Sequence, residues 1–191
     1  MGIGVWLSLL VTLWQGTPVV FECDCWPGEG RPRLRAFSPL ALHTEPEPQA
    51  SGSRLTVPTS QDLVFDQVVT RTRAAAPVKV LQATSMSGLR FGAVVRVSRN
   101  ADFGSDVVRG HVNVTPQTRV DYLQYIGEGA CFVRVEGVVW AVEDCPTRFE
   151  DAYMVEGVPV VEFWARIIHQ GRARGWVLVD GKGVKVIGRT F

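Results

Sequence analysis

The sequence predicts an all-β protein, built as a sandwich or as small barrels, and three observations carry that expectation. Short runs rich in Val, Ile, Phe and Tyr recur between Gly, Pro and Asp breaks, as strands do between turns. The 191 residues include 19 Gly and 11 Pro, enough to punctuate many connections. The chain is 46% hydrophobic and 20% charged with a formal net charge of +1, which excludes a disordered tail, a coiled coil and a strongly basic nucleic-acid binder. The length fits one domain or two small β-modules, each long enough to bury a core.

In chain order, residues 1–21 carry no charged side chain, and their centre, I-G-V-W-L-S-L-L-V-T-L at 3–13, has the length of a secretory apolar core. The segment reads as a signal peptide or, uncleaved, as a membrane anchor, because its full length approaches the roughly 20 residues a spanning helix needs. Residues 22–37, with the basic run R-P-R-L-R at 31–35, read as a solvated linker. Cys23-x-Cys25 lacks the further Cys or His that a zinc site needs, so no metal is assigned to it. From 43 to 53 the sequence H-T-E-P-E-P-Q-A-S-G-S is turn-rich and excludes a regular element. Strands are expected at 63–69, 78–83, 89–97, 107–114, 120–126, 130–135, 138–142, 176–179 and 184–187. Residues 159–171 place Val160, Phe163, Trp164, Ile167 and Ile168 on one helical face, with Pro at the start and Gly past the end. The polar H-Q-G-R-A-R-G-W-V that follows reads instead as a hairpin turn, and the segment is taken as a strand.

The four cysteines, Cys23, Cys25, Cys131 and Cys145, form an even set, which in an exported chain favours disulfides. Cys131 and Cys145 flank an alternating segment with Glu136-Gly137 as a two-residue hairpin turn. That turn sets Cys131 opposite Val142, so a bond to Cys145 requires a bulge or a curl after Asp144. Connectivity among the four is otherwise open.

Two stretches resemble bacterial SH3-type (SH3b) domains, small barrels of exported envelope proteins. P-L-A-L-H-T-E-P at 39–46 followed by R-L-T-V-P-T-S-Q-D-L-V-F-D at 54–66 is similar to the family's opening strands. F-W-A-R-I-I-H-Q-G-R-A-R-G-W-V-L-V at 163–179 is similar to its closing hairpin, with Gly175-Trp176-Val177 matching a G-W-V signature. The resulting expectation is one or two SH3-like barrels after the export segment, divided at 38–115 and 117–191, with one barrel interrupted by an insertion as the other arrangement. The resemblance implies a non-enzymatic, cofactor-free module, periplasmic or secreted, that binds peptidoglycan or an envelope protein. Independently of family, Gly175 permits a close backbone approach and Trp176 is large enough to close a small barrel.

Candidate ligand contacts are Tyr122, Tyr125, Trp164, Trp176 and the Arg172/Arg174 turn, with Trp140 and Phe163 as further aromatics. Aromatic rings stack on sugars and seat peptides, and neighbours such as Phe163-Trp164 point to opposite faces of a strand. From residue 159 onward Arg166, Arg172, Arg174, Lys182, Lys185 and Arg189 stand against Glu162 and Asp180, a local excess of +4 suited to an anionic polymer. Nucleic acid is not an expected partner of an exported chain. The rival reading is a thiol hydrolase in which His169 activates Cys131. A structural assembly subunit is the third.

Overall fold

The computed structural model describes residues 20–23, 31–48, 50, 52–55, 61–92, 96–98, 107–127 and 129–190. Its strands are β1 (Val20–Cys23), β2 (Arg31–Ala36), β3 (Leu40–His43), β4 (Gly52–Leu55), β5 (Asp62–Ala74), β6 (Ala76–Val80), β7 (Thr84–Gly92), β8 (Arg96–Ser98), β9 (Val108–Val114), β10 (Val120–Gly127), β11 (Ala130–Val135), β12 (Val138–Val142), β13 (Tyr153–Val155), β14 (Val160–His169), β15 (Arg172–Leu178) and β16 (Val184–Thr190). A short 3-10 turn, Pro146–Arg148, is the one helical element among the described residues. The all-β expectation holds. Residues 1–19, most of the expected export segment, lie outside the described residues, as does Cys25; Val20 and Phe21 belong to β1.

Two curled sheets result. In the first, the order is β16-β2-β5-β14-β15-β3-β4, with β1 against β5 and β8 parallel to β1. In the second it is β13-β6-β10-β11-β12-β7-β9, antiparallel throughout. The sheets divide the chain differently from the expected 38–115 and 117–191. Residues 20–74 and 160–190 supply all of the first sheet except β8, and the strands of 76–155 other than β8 build the second, so the second sheet interrupts the first in sequence. The ladder that makes this possible joins β5 to β14 from Ala74↔Val160 to Val64↔Ile168. Next to it, the Glu156 amide donates to the Pro77 carbonyl at 2.8 Å and Val155 pairs with Val78. The outgoing and returning chains therefore cross between the sheets side by side.

β2 corrects the linker reading. Its alternation sends Leu34 and Ala36, both 0% exposed, into the first core while Arg33 faces out. Leu40 and Leu42 of β3, Phe65 and Val68 of β5, Ala165 and Ile167 of β14, Val177 and Val184 complete that core. The second core gathers Val78, Val80, Met86, Val114, Val120, Val133, Trp140, Val142 and Tyr153. The outer faces are apolar too. Val69, Trp164 and Trp176 pack together on the first sheet, and Leu123, Phe132 and Val139 on the second, where Ala75 of the crossing covers them. Thr72 Oγ1 donates to the Leu123 carbonyl at 3.3 Å and ties the two sheets at this point.

β14 is a strand, and its helix-like periodicity has a physical origin. Both faces of the strand are buried, Ala165 and Ile167 on the inner side and Trp164 on the outer, so apolar residues need not alternate with polar ones, and the register shifts at Val160/Val161 and Arg166/Ile167 place their extra residue on β5. The turn-rich reading of 43–53 holds in its middle, while its ends, His43 and Gly52–Ser53, belong to β3 and β4. Glu136 and Gly137 form the expected two-residue turn, both at positive φ (47° and 84°), and Gln170 and Gly171 repeat it at 53° and 71°. Cys131 stands opposite Val142, as that turn requires. The chain then curls into the 3-10 turn, where the Arg148 amide donates to the Cys145 carbonyl at 3.0 Å. Cys131 and Cys145 are bonded there, their Cα atoms 5.7 Å apart and both residues fully buried.

If residues 31–36 are a core strand, Leu34→Ala removes a fully buried side chain and costs about 2–5 kcal/mol. Urea unfolding of the variant checks this, since a solvated linker residue would change stability by less than about 0.5 kcal/mol.

Candidate ligand-binding surface

The closing hairpin is held by a contact that excludes a side chain. Gly175 sits at φ 143°, and a Cβ built on it would lie 2.8 Å from the His43 carbonyl oxygen of β3. Trp176 follows, 8% exposed, paired with Arg166 on β14 and His43 on β3. Trp164, 1% exposed, packs beside it, takes the His43 ring edge-on at 5.2 Å, and donates its indole N–H to Glu162 at 3.2 Å. Arg166 grips Asp66 through two bonds of 2.8 and 2.7 Å, and its guanidinium lies 5.9 Å from the Trp176 ring centre.

These facts correct the expected contact surface. Both tryptophans are structural fill on the outer face of the first sheet, because that face is covered as well as the inner one. The neighbours Phe163 and Trp164 do point to opposite faces, yet Phe163 is half-buried and Trp164 fully buried. Of the two tyrosines, Tyr122 is buried in the second core, where burial pushes its hydroxyl pKa up and Tyr125 adds to the rise. Tyr125 is 41% exposed, and its hydroxyl accepts the Gly129 amide at 3.0 Å. Trp140 belongs to the second core. The tyrosines of β10 and the arginines of β15 thus lie on different sheets and form no common site.

Arg172 and Arg174 are exposed at the hairpin end. Arg174 folds back on the turn, donating to the His169 carbonyl at 3.4 Å and to Gln170 at 3.3 Å, so its charge is held at the tip. The C-terminal basic excess is not a single patch. Arg166 is matched by Asp66, and Asp180 accepts the backbone amides of Lys182 and Gly183, each at 2.8 Å. Cys131 is bonded to Cys145 in the second sheet while His169 ends β14 in the first, so the thiol and the imidazole are not brought together.

The sequence reading missed the outward face of β2. Arg33 and Arg35 both donate to Asp62, at 2.5 and 2.7 Å, and together hold its carboxyl below the ordinary range, Arg33 first and Arg35 next. Across the ladder Lys185 of β16 stands opposite Arg35 and places its ammonium 5.0 Å from the Phe37 ring centre. The available signal was the alternation of R-P-R-L-R-A, which puts charge on one side and Leu34 and Ala36 on the other. Elsewhere, Gln82, Thr84, Arg148, Phe149, Glu150 and Asp151 line an open polar cleft of about 520 Å³ beside the 3-10 turn. Among the described residues, no group of three or more His, Cys, Asp or Glu is placed to hold a metal. Comparison with protein-family models, curated proteins and solved structures gives no match.

Gly175→Ala brings a side chain against the His43 carbonyl and onto a backbone conformation that L residues avoid. Thermal or urea unfolding is expected to show a loss of more than about 1 kcal/mol, with Trp176 fluorescence reporting a loosened ring environment.

Proposed function

We propose that this chain is a non-enzymatic binding module of the cell envelope, exported to the periplasm or secreted, or tethered through residues 1–21, and that it contacts peptidoglycan or an envelope protein. One observation carries the reading. The stretches that resemble the opening and the close of an SH3b domain, 39–46 with 54–66 and 163–179, contribute their described strands to one sheet around one core, although some 100 residues separate opening from close in sequence. Independently of that resemblance, Gly175 lies in close contact with β3.

The compartment rests on the apolar 3–13 segment together with the Cys131–Cys145 bond, which is compatible with an oxidising environment. The contact is assigned to the exposed hairpin end, where Arg172 and Arg174 are exposed while Trp164 and Trp176 are buried. Arginine suits the carboxylates of wall peptides because its planar fork donates two parallel hydrogen bonds.

The test is co-sedimentation of the purified protein with peptidoglycan sacculi, alongside Arg172→Gln/Arg174→Gln with its fold checked by circular dichroism. The reading expects binding that survives moderate salt and weakens about tenfold in the variant. Absence of sedimentation at any salt concentration overturns the wall ligand and directs the search to a protein partner.

A further inference from the structure

We infer that the outward face of the β2–β16 ribbon, formed by Arg33, Arg35, Phe37 and Lys185 around Asp62, is a binding site for an anionic saccharide. It is separate from the hairpin end, and neither reading depends on the other.

The charge there is arranged rather than merely accumulated. Arg35 approaches one oxygen of Asp62 through Nε at 2.7 Å and through a terminal nitrogen at 2.6 Å, and Arg33 takes the other oxygen at 2.5 Å. One carboxylate thus orients two guanidinium groups and neutralises one of them. The two arginine side chains remain 49% and 32% exposed. Lys185 adds a third cation directly across the ladder from Arg35. Like charges at opposed positions destabilise a strand pair, so β2 and β16 carry a cost that an anion between them would relieve.

The backbone beneath is fixed. Leu34, Ala36 and Val184 are buried in the first core, which locks the phase of both strands and keeps Arg33, Arg35 and Lys185 outside. The Phe37 amide donates to the Gly183 carbonyl at 2.9 Å, tying the start of β16 to the end of β2.

Phe37 decides the class of ligand. Its ring is 44% exposed and lies within reach of the Lys185 ammonium. An aromatic face beside a fork of cations matches a sugar ring, whose C–H face stacks on the aromatic while an attached carboxylate or phosphate takes the guanidinium donors. A bare polyanion would use the cations and leave the ring without a role.

The experiment measures binding of the full chain to three probes by affinity electrophoresis or calorimetry: polygalacturonate fragments, inorganic polyphosphate of similar charge, and neutral dextran. The expected result is binding to polygalacturonate, weaker binding to polyphosphate and none to dextran. Arg33→Gln/Arg35→Gln should lower polygalacturonate affinity at least about tenfold. Lys185→Gln, which leaves the Asp62 cluster intact, guards against a folding artefact and should also weaken it. Phe37→Ala should lower polygalacturonate affinity about threefold and leave polyphosphate unchanged. Failure to bind polygalacturonate, or unchanged affinity in both cation variants, overturns the site. Equal binding of polyphosphate together with an inert Phe37→Ala overturns the saccharide assignment. Sacculus binding that persists when these variants lose polygalacturonate leaves the wall reading standing on the hairpin alone, so the two ideas fail separately.

Discussion

The antiparallel ladder between β5 and β14 is the constraint on which the remaining architecture depends. Nine paired positions join residues 64–74 to residues 160–168, and Asp66 and Arg166, 100 residues apart, clasp across the ladder. Closing so long a loop costs chain entropy, but the cost grows only logarithmically with length. The intervening residues also form a sheet with its own core, bonded at Cys131–Cys145, so the loop being closed is largely ordered by its own contacts. Long strands do this work economically. β5 carries β14 on one edge and both β2 and β1 on the other, so one strand organises most of the first sheet.

Burial on both faces follows from that arrangement and governs where recognition can occur. Val68 and Ala165 point into the first core, while their neighbours Val69 and Trp164 point out into a second apolar layer with Trp176. Large aromatics are therefore spent on packing in the middle of the sheet. Exposed chemistry is pushed to the hairpin tip at Arg172 and Arg174 and to the β2–β16 ribbon, where arginines alternate with core residues. Both proposed contacts lie on strands, Arg172 opposite His169 and Arg35 opposite Lys185, while Arg174 falls in the register shift of the β14–β15 pair.

Local features were legible in the sequence wherever a short-range rule decides them. Glu136-Gly137 required a tight turn, that turn placed Cys131 opposite Val142, and a bulge or a curl was then needed to bring Cys145 to it. Gly175 was readable as a close approach because a glycine before a packed Trp leaves few other reasons for its presence. β2 was not readable as a strand, since a proline and three arginines in six residues mask the alternation in which Pro32, Leu34 and Ala36 are buried. Nor was the pairing of β5 with β14. Strand pairing is set by partners distant in sequence, and no local signal in 62–74 names 160–169 rather than a nearer strand. The same blindness exposed the tryptophans in the sequence reading, because an outer layer covering Trp164 is a property of the assembled sheet.

The interrupted arrangement of the first sheet is tested most directly by truncation combined with hydrogen exchange. A chain ending at residue 157 lacks β14, β15 and β16 but retains every strand of the second sheet. Amides of 120–142 should keep their protection while those of 62–73 lose theirs, because the partner strand of β5 is gone. Full protection of 62–73 in the truncated chain would mean that the front of the chain folds without β14, β15 and β16, and would contradict the account.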